Sequence, residues 1–152
     1  MTRKQLFAVL ALLATAGFVD ALYLTDMAFA GARLTCNIAG LDGCNIVAQS
    51  KYSLLLGLPL ALYGVVFYGL TLGTLVLIQL KIQVRLEKVL VGIACVGALF
   101  SSYFLYLQFF QIRALCIYCL GSVIVSYVLA VTSVCFLYTT EKGRTEGLAV
   151  ST

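Results

Sequence analysis

The chain alternates long apolar runs with short polar breaks. Apolar residues fill four stretches, about 6–24, 60–80, 89–110 and 115–138. Each is close to the roughly 20 residues that a helix needs to cross a bilayer core. Between the first two lies a long polar segment, 25–53, which carries Asp26, Arg33, Asp42 and Lys51. Gly31, Gly40 and Gly43 break this segment into turns, and Cys44 to Gln49 is expected to form a short helix. Leu54-Leu55-Leu56 and Gly57-Leu58-Pro59 read as an apolar edge lying on the membrane. Pro59 suits the first turn of the helix that follows, where its missing N–H costs nothing. Residues 81–88 form a charged loop, and the polar tail 139–152 is expected to fray.

The pattern predicts an all-α membrane protein, a four-transmembrane-helix bundle with one long loop between helices 1 and 2. The first stretch has a competing reading as a signal peptide. Arg3 and Lys4 would be its basic region, Leu6 to Leu13 its apolar region, and Ala14-Thr15-Ala16 its cleavage site. The apolar character continues past Ala16 through Tyr23, which favours a span. No repeat, low-complexity tract or appended soluble domain is visible, so residues 1–152 read as a single domain.

Charge sets the expected orientation. Arg3, Lys4, Lys81, Arg85, Lys88, Lys142 and Arg144 fall on one side of four crossings, and only Arg33, Lys51 and Arg113 on the other. The positive-inside rule then places both termini in the cytoplasm. Loop 25–53 and the start of the fourth span become extracytoplasmic. The net charge of +4 is spread over membrane edges, which argues against nucleic-acid binding.

Composition narrows the chemistry. Of 152 residues, 62% are hydrophobic and 11% charged, too apolar a balance for a soluble domain of this size. There is no histidine, which removes most zinc-hydrolase, haem and Ser-His schemes. Cysteine is left as the evident nucleophile and redox group. Asp20 lies inside the first span, where an intramembrane carboxylate is a functional candidate by default. Its plainer role is an interfacial acid reaching the headgroups. With no histidine, any proton needed in the bilayer falls to water, thiols or a group such as Asp20.

Of six cysteines, four are expected outside the cytoplasm, where disulfides persist. Cys116-Ile117-Tyr118-Cys119 opens the fourth span. A CxxC at a helix start sets two thiols one turn apart on one face, and the helix N-terminus stabilises a thiolate. Cys36 and Cys44 lie eight positions apart in the long loop. A loop pair can exchange with outside proteins and with the helix pair, and the helix pair can meet a lipid-soluble oxidant. A quinone suits that role, because it dissolves in the bilayer and takes two electrons, as one dithiol gives two. Cys95 and Cys135 fall within spans 3 and 4 and read as packing residues.

This arrangement resembles the vitamin K epoxide reductase family, in its bacterial disulfide-forming members, over nearly the whole length from Leu6 to Tyr138. The matching features are Cys36 and Cys44, Ser50 six residues on, Gly57-Leu58-Pro59 before span 2, Tyr63-Gly64, and the CxxC opening span 4. The resemblance implies that Cys116 and Cys119 are the catalytic pair, with Cys119 facing a quinone of ubiquinone, menaquinone or vitamin K type. It implies that Cys116 exchanges with a loop cysteine, Cys44, and that Cys36 meets the thiol of a thioredoxin-like protein. Ser50 matches a hydroxyl that the family uses near its site; its plainer role is a turn or cap serine.

Many bacterial members carry a fused thioredoxin-like domain after the last span. None follows here, so a separate partner is expected. The vertebrate enzymes place an amide before span 2 and a tyrosine four residues past the CxxC, where this chain has Leu60 and Val123. That favours quinone over epoxide as the substrate, with vitamin K epoxide reduction as the alternative. The absence of a basic retrieval tail points to a prokaryotic plasma membrane.

Two plainer readings compete. An all-cysteine zinc site wants ligands spaced by about two to four residues, which the loop pair does not offer, so no metal is expected. Two purely structural disulfides fit poorly, because a helix N-terminus favours the reduced CxxC. Tyr103, Tyr106 and Phe110 share one face of span 3 and are candidates to wall a quinone pocket; most of that aromatic cluster reads as an interfacial belt. Gly64, Gly69, Gly73, Gly92, Gly97 and Gly121 suit close helix packing.

Overall fold

The computed structural model describes residues 2–36, 43–81 and 85–149, with side chains through residue 145. The expected turn around Gly40 and Asp42, the middle of loop 81–88 and the end of the tail lie outside the described residues. Helix α1 spans Arg3–Ala30, α2 Cys44–Ala48, α3 Leu60–Gln79, α4 Leu86–Tyr106 and α5 Ile117–Ala149. A π-helical segment, Leu107–Ile112, extends α4. Four of these helices are long and apolar enough to cross a membrane, and the chain is an all-α membrane bundle.

α1 and α4 each pack against both α3 and α5, so the four long helices close into a ring. Helix α1 buries Leu6, Leu10, Ala14, Gly17, Ala21 and Thr25. That three-and-four spacing is one stripe of a 3.6-residue helix. The stripe meets Tyr68, Leu75 and Ile78 of α3 and Leu129 and Phe136 of α5 in one apolar core. Leu12, Val19, Val66, Leu99 and Val131 stay exposed around the outside. In a bilayer this is no penalty, because lipid tails are as apolar as the side chains. Ala14 of the A-x-A tripeptide is fully buried in this core, and α1 runs through it unbroken.

The structure moves several boundaries. α1 continues six residues past the expected end of the first span, to Ala30. It stops at Gly31, whose φ of 60° gives a left-handed cap that donates to the carbonyls of Ala28 and Met27. Leu54–Leu55 and Leu58–Pro59 pair antiparallel. Their turn is made by Leu56 (φ 53°) and Gly57 (φ 82°), the double positive φ of a tight hairpin. Pro59 therefore ends a strand and caps α3 instead of lying in its first turn. Tyr63 Oη donates to the Leu55 carbonyl at 2.9 Å and ties the hairpin to α3.

The tail does not fray at 139 but stays helical through Ala149. Two contacts hold it down: Arg3 Nε donates to Thr140 Oγ1 at 3.2 Å, and Lys88 Nζ lies 3.3 Å from Glu141 Oε1. Arg3 also sits over the Phe136 ring and 3.9 Å from the buried Glu87. These contacts bring the starts of α1 and α4 and the end of α5 to one end of the bundle. The cysteine-bearing segments lie at the other.

Only some of the expected packing glycines pack. Gly97 abuts the Phe67 ring, and Gly64 and Gly69 approach Ala21 and Phe18. Gly73, Gly92 and Gly121 face open space. Gly17 of α1 is the close contact that the sequence did not single out: a Cβ there would run into the ring of the buried Tyr68. Cys95 and Cys135 are exposed on the bundle's outside and do not fill the core as expected. Their neighbours Ala94 and Phe136 occupy the inward positions.

Gly17→Ala is expected to lower the midpoint of thermal unfolding in detergent, by an overpacking cost of about 1–3 kcal/mol. Gly73→Ala, made where nothing opposes a methyl, should leave the midpoint unchanged or raise it through the better helix propensity of alanine.

Candidate redox site

Each cysteine at the far end is placed by a local device. The π-helical segment ends at Arg113, which takes a left-handed conformation (φ 55°) and turns the chain out of α4. Inside this segment Gln108 is buried, and its Oε1 accepts the N–H of Cys116 at 3.0 Å. Cys116 immediately precedes α5, in the N-cap position. Its Sγ accepts the N–H of Cys119 at 3.4 Å, as a serine or threonine cap oxygen would. The CxxC is thus the N-terminal capping turn of α5, with both sulfurs on one side of it.

The loop pair is held by equally specific contacts. Cys36 and Cys44 form a disulfide, with Cα atoms 6.1 Å apart. Asn45 clamps the backbone of Leu34: its Oδ1 accepts the Leu34 N–H at 2.8 Å and its Nδ2 donates to the Leu34 carbonyl at 3.0 Å. Tyr118, from inside the CxxC, donates its hydroxyl to the Thr35 carbonyl at 3.1 Å. Its ring lies 5.7 Å from that of Tyr23 on α1. Gly43 presses on the Leu115 backbone so closely that any side chain there would collide with it.

The result is one cluster. Leu34, Cys44 and Cys116 are its buried members, and Cys36 and Cys119 pack against them with Tyr23, Leu24, Met27 and Val47. All four predicted catalytic cysteines, Cys36, Cys44, Cys116 and Cys119, are brought together. Cys116 and Cys119 carry free thiols. Cys44 is fully buried while Cys36 is only partly so. The disulfide between Cys36 and Cys44 leaves neither of them a thiolate to give to a metal.

The environment acts on Cys116. The hydrogen bond from Cys119 stabilises its thiolate, aided by the backbone N–H groups of Cys119 and Tyr118. Burial opposes this, and the balance brings the Cys116 thiol down to about 7. A thiol poised there is an effective attacking group near neutral pH.

Beside the CxxC is a cavity of about 340 Å³ between α1 and α5. Its wall is mostly apolar, with Asp20, Thr35, Tyr118 and Ser122 as its polar members. That size and lining suit a small apolar ligand, whose sites run from about 300 to 1,000 Å³. None of the residues predicted to contact a quinone, Cys119 included, is among those lining this cavity. Tyr103, Tyr106 and Phe110 are exposed and are not part of this wall; Tyr106 and Phe110 stack on each other at 4.9 Å. Ser50 donates to the Val47 carbonyl at 2.8 Å in the turn after α2 and does not border the cavity.

Three site residues were missed in the sequence. Gln108 was not singled out, although a buried amide at the edge of a span is itself a signal. Asn45, next to Cys44, and Tyr118, between the CxxC cysteines, carried no pattern that would single them out.

A membrane bundle with a disulfide in its loop and a dithiol capping its last helix is, by fold and site, a membrane-embedded thiol–disulfide protein. The family model of the vitamin K epoxide reductase family matches residues 8–134, and the chain belongs to that family. It is also similar to the thiol-disulfide oxidoreductase LTO1 of Arabidopsis thaliana, at 32% identity over 123 residues. That match covers 76% of this chain but only 32% of the plant protein, so the chain spans about a third of its relative's length.

Alkylation of Cys116 in the reduced protein is expected to speed up as pH rises through about 7, following its thiolate fraction. In Cys119→Ala the hydrogen bond that favours the thiolate is gone, so the midpoint should move up toward the ordinary thiol value of about 8.5. Mass-spectrometric alkylation rates from pH 5 to 10 check both.

Proposed function

We propose that this chain is a membrane thiol:quinone oxidoreductase that makes disulfides outside the cytoplasm. The observation that carries the reading is the single buried cluster holding a closed loop disulfide against an open helix dithiol. Pairs so placed can exchange without leaving the protein.

The reaction balances as follows. A thiolate of a separate thioredoxin-like protein attacks Cys36, the more accessible sulfur, and releases Cys44. The partner's second thiol resolves that bond, which leaves the partner oxidised and Cys36/Cys44 reduced. The Cys44 thiolate attacks Cys116 of a Cys116–Cys119 disulfide and releases Cys119. Cys36 then attacks Cys44, closes the loop disulfide and frees Cys116. The two electrons now on Cys116/Cys119 pass with two protons to a quinone, which leaves as quinol. In this cycle a closed loop pair beside an open helix pair is the state just before that last transfer.

A quinone supplies a two-electron sink dissolved in the same bilayer. Residues of α1 and α5 around the cavity would hold its ring, with Cys119 in the adjoining turn. Leu60 and Val123 support quinone over epoxide, since both places lack the polar groups of the vertebrate enzymes. The positive-inside distribution supports cytoplasmic termini and an extracytoplasmic cluster. The plant relative's name, thiol-disulfide oxidoreductase, supports the same class of chemistry.

Full-length protein in liposomes, given a short-chain quinone and dithiothreitol, is expected to form quinol. Cys119→Ala should reduce the rate to that of protein-free vesicles. Undiminished turnover would remove Cys119 from the reaction, and turnover with vitamin K epoxide but not quinone would move the chain to the alternative activity.

A further inference from the structure

Accepting the quinone reading, a reduction carried out in an apolar cavity needs protons as well as electrons, and the chain has no histidine to supply them. The polar members of the cavity wall are Asp20, Thr35, Tyr118 and Ser122. Tyr118 already donates its hydroxyl to the Thr35 carbonyl at 3.1 Å. The Ser122 hydroxyl is engaged with Tyr68 Oη at 2.9 Å. Hydroxyls of serine and threonine are in any case far too weak as acids to protonate a substrate near neutral pH.

Asp20 is different. Among the described residues its carboxyl has no hydrogen-bond or ion-pair partner. It sits on α1 one turn from Ala16 and Gly17, which line the same cavity. It borders a second depression as well, a shallow groove on the outer face of α1 with Leu12, Val19 and Tyr23. It therefore stands between the cavity and the lipid-facing surface. A carboxylate inside a span is costly, and it persists where it serves a function.

We propose that Asp20 is the proton-transfer group of the cavity, a catalytic residue that protonates the quinone. Its carboxyl O–H breaks as the new quinone O–H forms, while two electrons leave the sulfur pair. As the sulfurs close into the Cys116–Cys119 bond their two protons leave: one restores the Asp20 carboxyl, and the other goes to the second quinone oxygen. Both protons of the quinol thus come from the two thiols, and Asp20 ends as it began.

The test uses full-length protein in liposomes with a short-chain quinone and dithiothreitol. Two readings are taken: quinol formation, and quinone-free reduction of the Cys36–Cys44 bond. Asp20→Asn is expected to lower kcat for quinol formation about 100-fold, the usual scale of a general acid. The KM for quinone should stay within about twofold, since binding is not what is lost. Reduction of the loop disulfide should proceed as in the parent. Asp20→Glu should recover at least about a tenth of the parent rate, because it restores an acid. A kcat for Asp20→Asn within about twofold of the parent overturns the proposal. So does a joint loss of loop-disulfide reduction and quinol formation, which would make Asp20 structural. If the parent protein itself forms no quinol, the quinone reading fails, and the proposal with it; that result is read before any variant is made.

Discussion

The site depends on satisfying the backbone of an irregular loop where it meets a membrane helix. A buried backbone polar group without a partner costs about 1–3 kcal/mol. Asn45 removes that cost at Leu34 by donating to its carbonyl and accepting from its N–H. Its neighbour Cys44 is thereby fixed, since the two residues open the same short helix. The opposite wall is fixed by another amide, Gln108, which accepts the N–H of Cys116. Two side-chain amides, one from the loop and one from the π-helical end of α4, hold the halves of the sulfur cluster. Gly43 lets them close by leaving room for the Leu115 backbone.

The capping turn of α5 joins structure to reactivity. A cap normally uses an oxygen to accept a free N–H at the helix start. Here Cys116 does so with sulfur, and the same geometry favours a thiolate. The second thiol, one turn on, adds a hydrogen bond that strengthens this preference. The rest of the bundle supplies a rigid frame: small residues such as Gly17 and Gly64 bring α1 and α3 together, as membrane helices need when burial from water does not drive their association.

Much of this was legible in the sequence. The four spans announce themselves by length and hydropathy, and the loop and helix cysteines by spacing. What was illegible depends on contacts between distant residues. Gln108 and Cys116 meet only because a π-helical segment and a left-handed Arg113 bend the chain between them. Tyr103, Tyr106 and Phe110 do share a face, as periodicity says. Periodicity does not say which way that face points, and α4 presents it outward. The tail is helical because Arg3 and Lys88 reach Thr140 and Glu141, contacts that no local pattern contains. Asp20 stood out as an acid in a span, but only the fold sets it at the wall of a cavity beside the CxxC.

The central claim is that the loop and helix pairs exchange directly through Cys44 and Cys116. The most direct measurement is a disulfide map, by peptide mass spectrometry, of Cys119→Ser protein trapped with a thiol-blocking reagent. With Cys119 unable to close the helix bond, the Cys116 thiolate should attack the loop disulfide at Cys44. A Cys44–Cys116 bond should accumulate while Cys36 is recovered blocked. Recovery of Cys36–Cys44 alone, with Cys116 always blocked, would contradict the account.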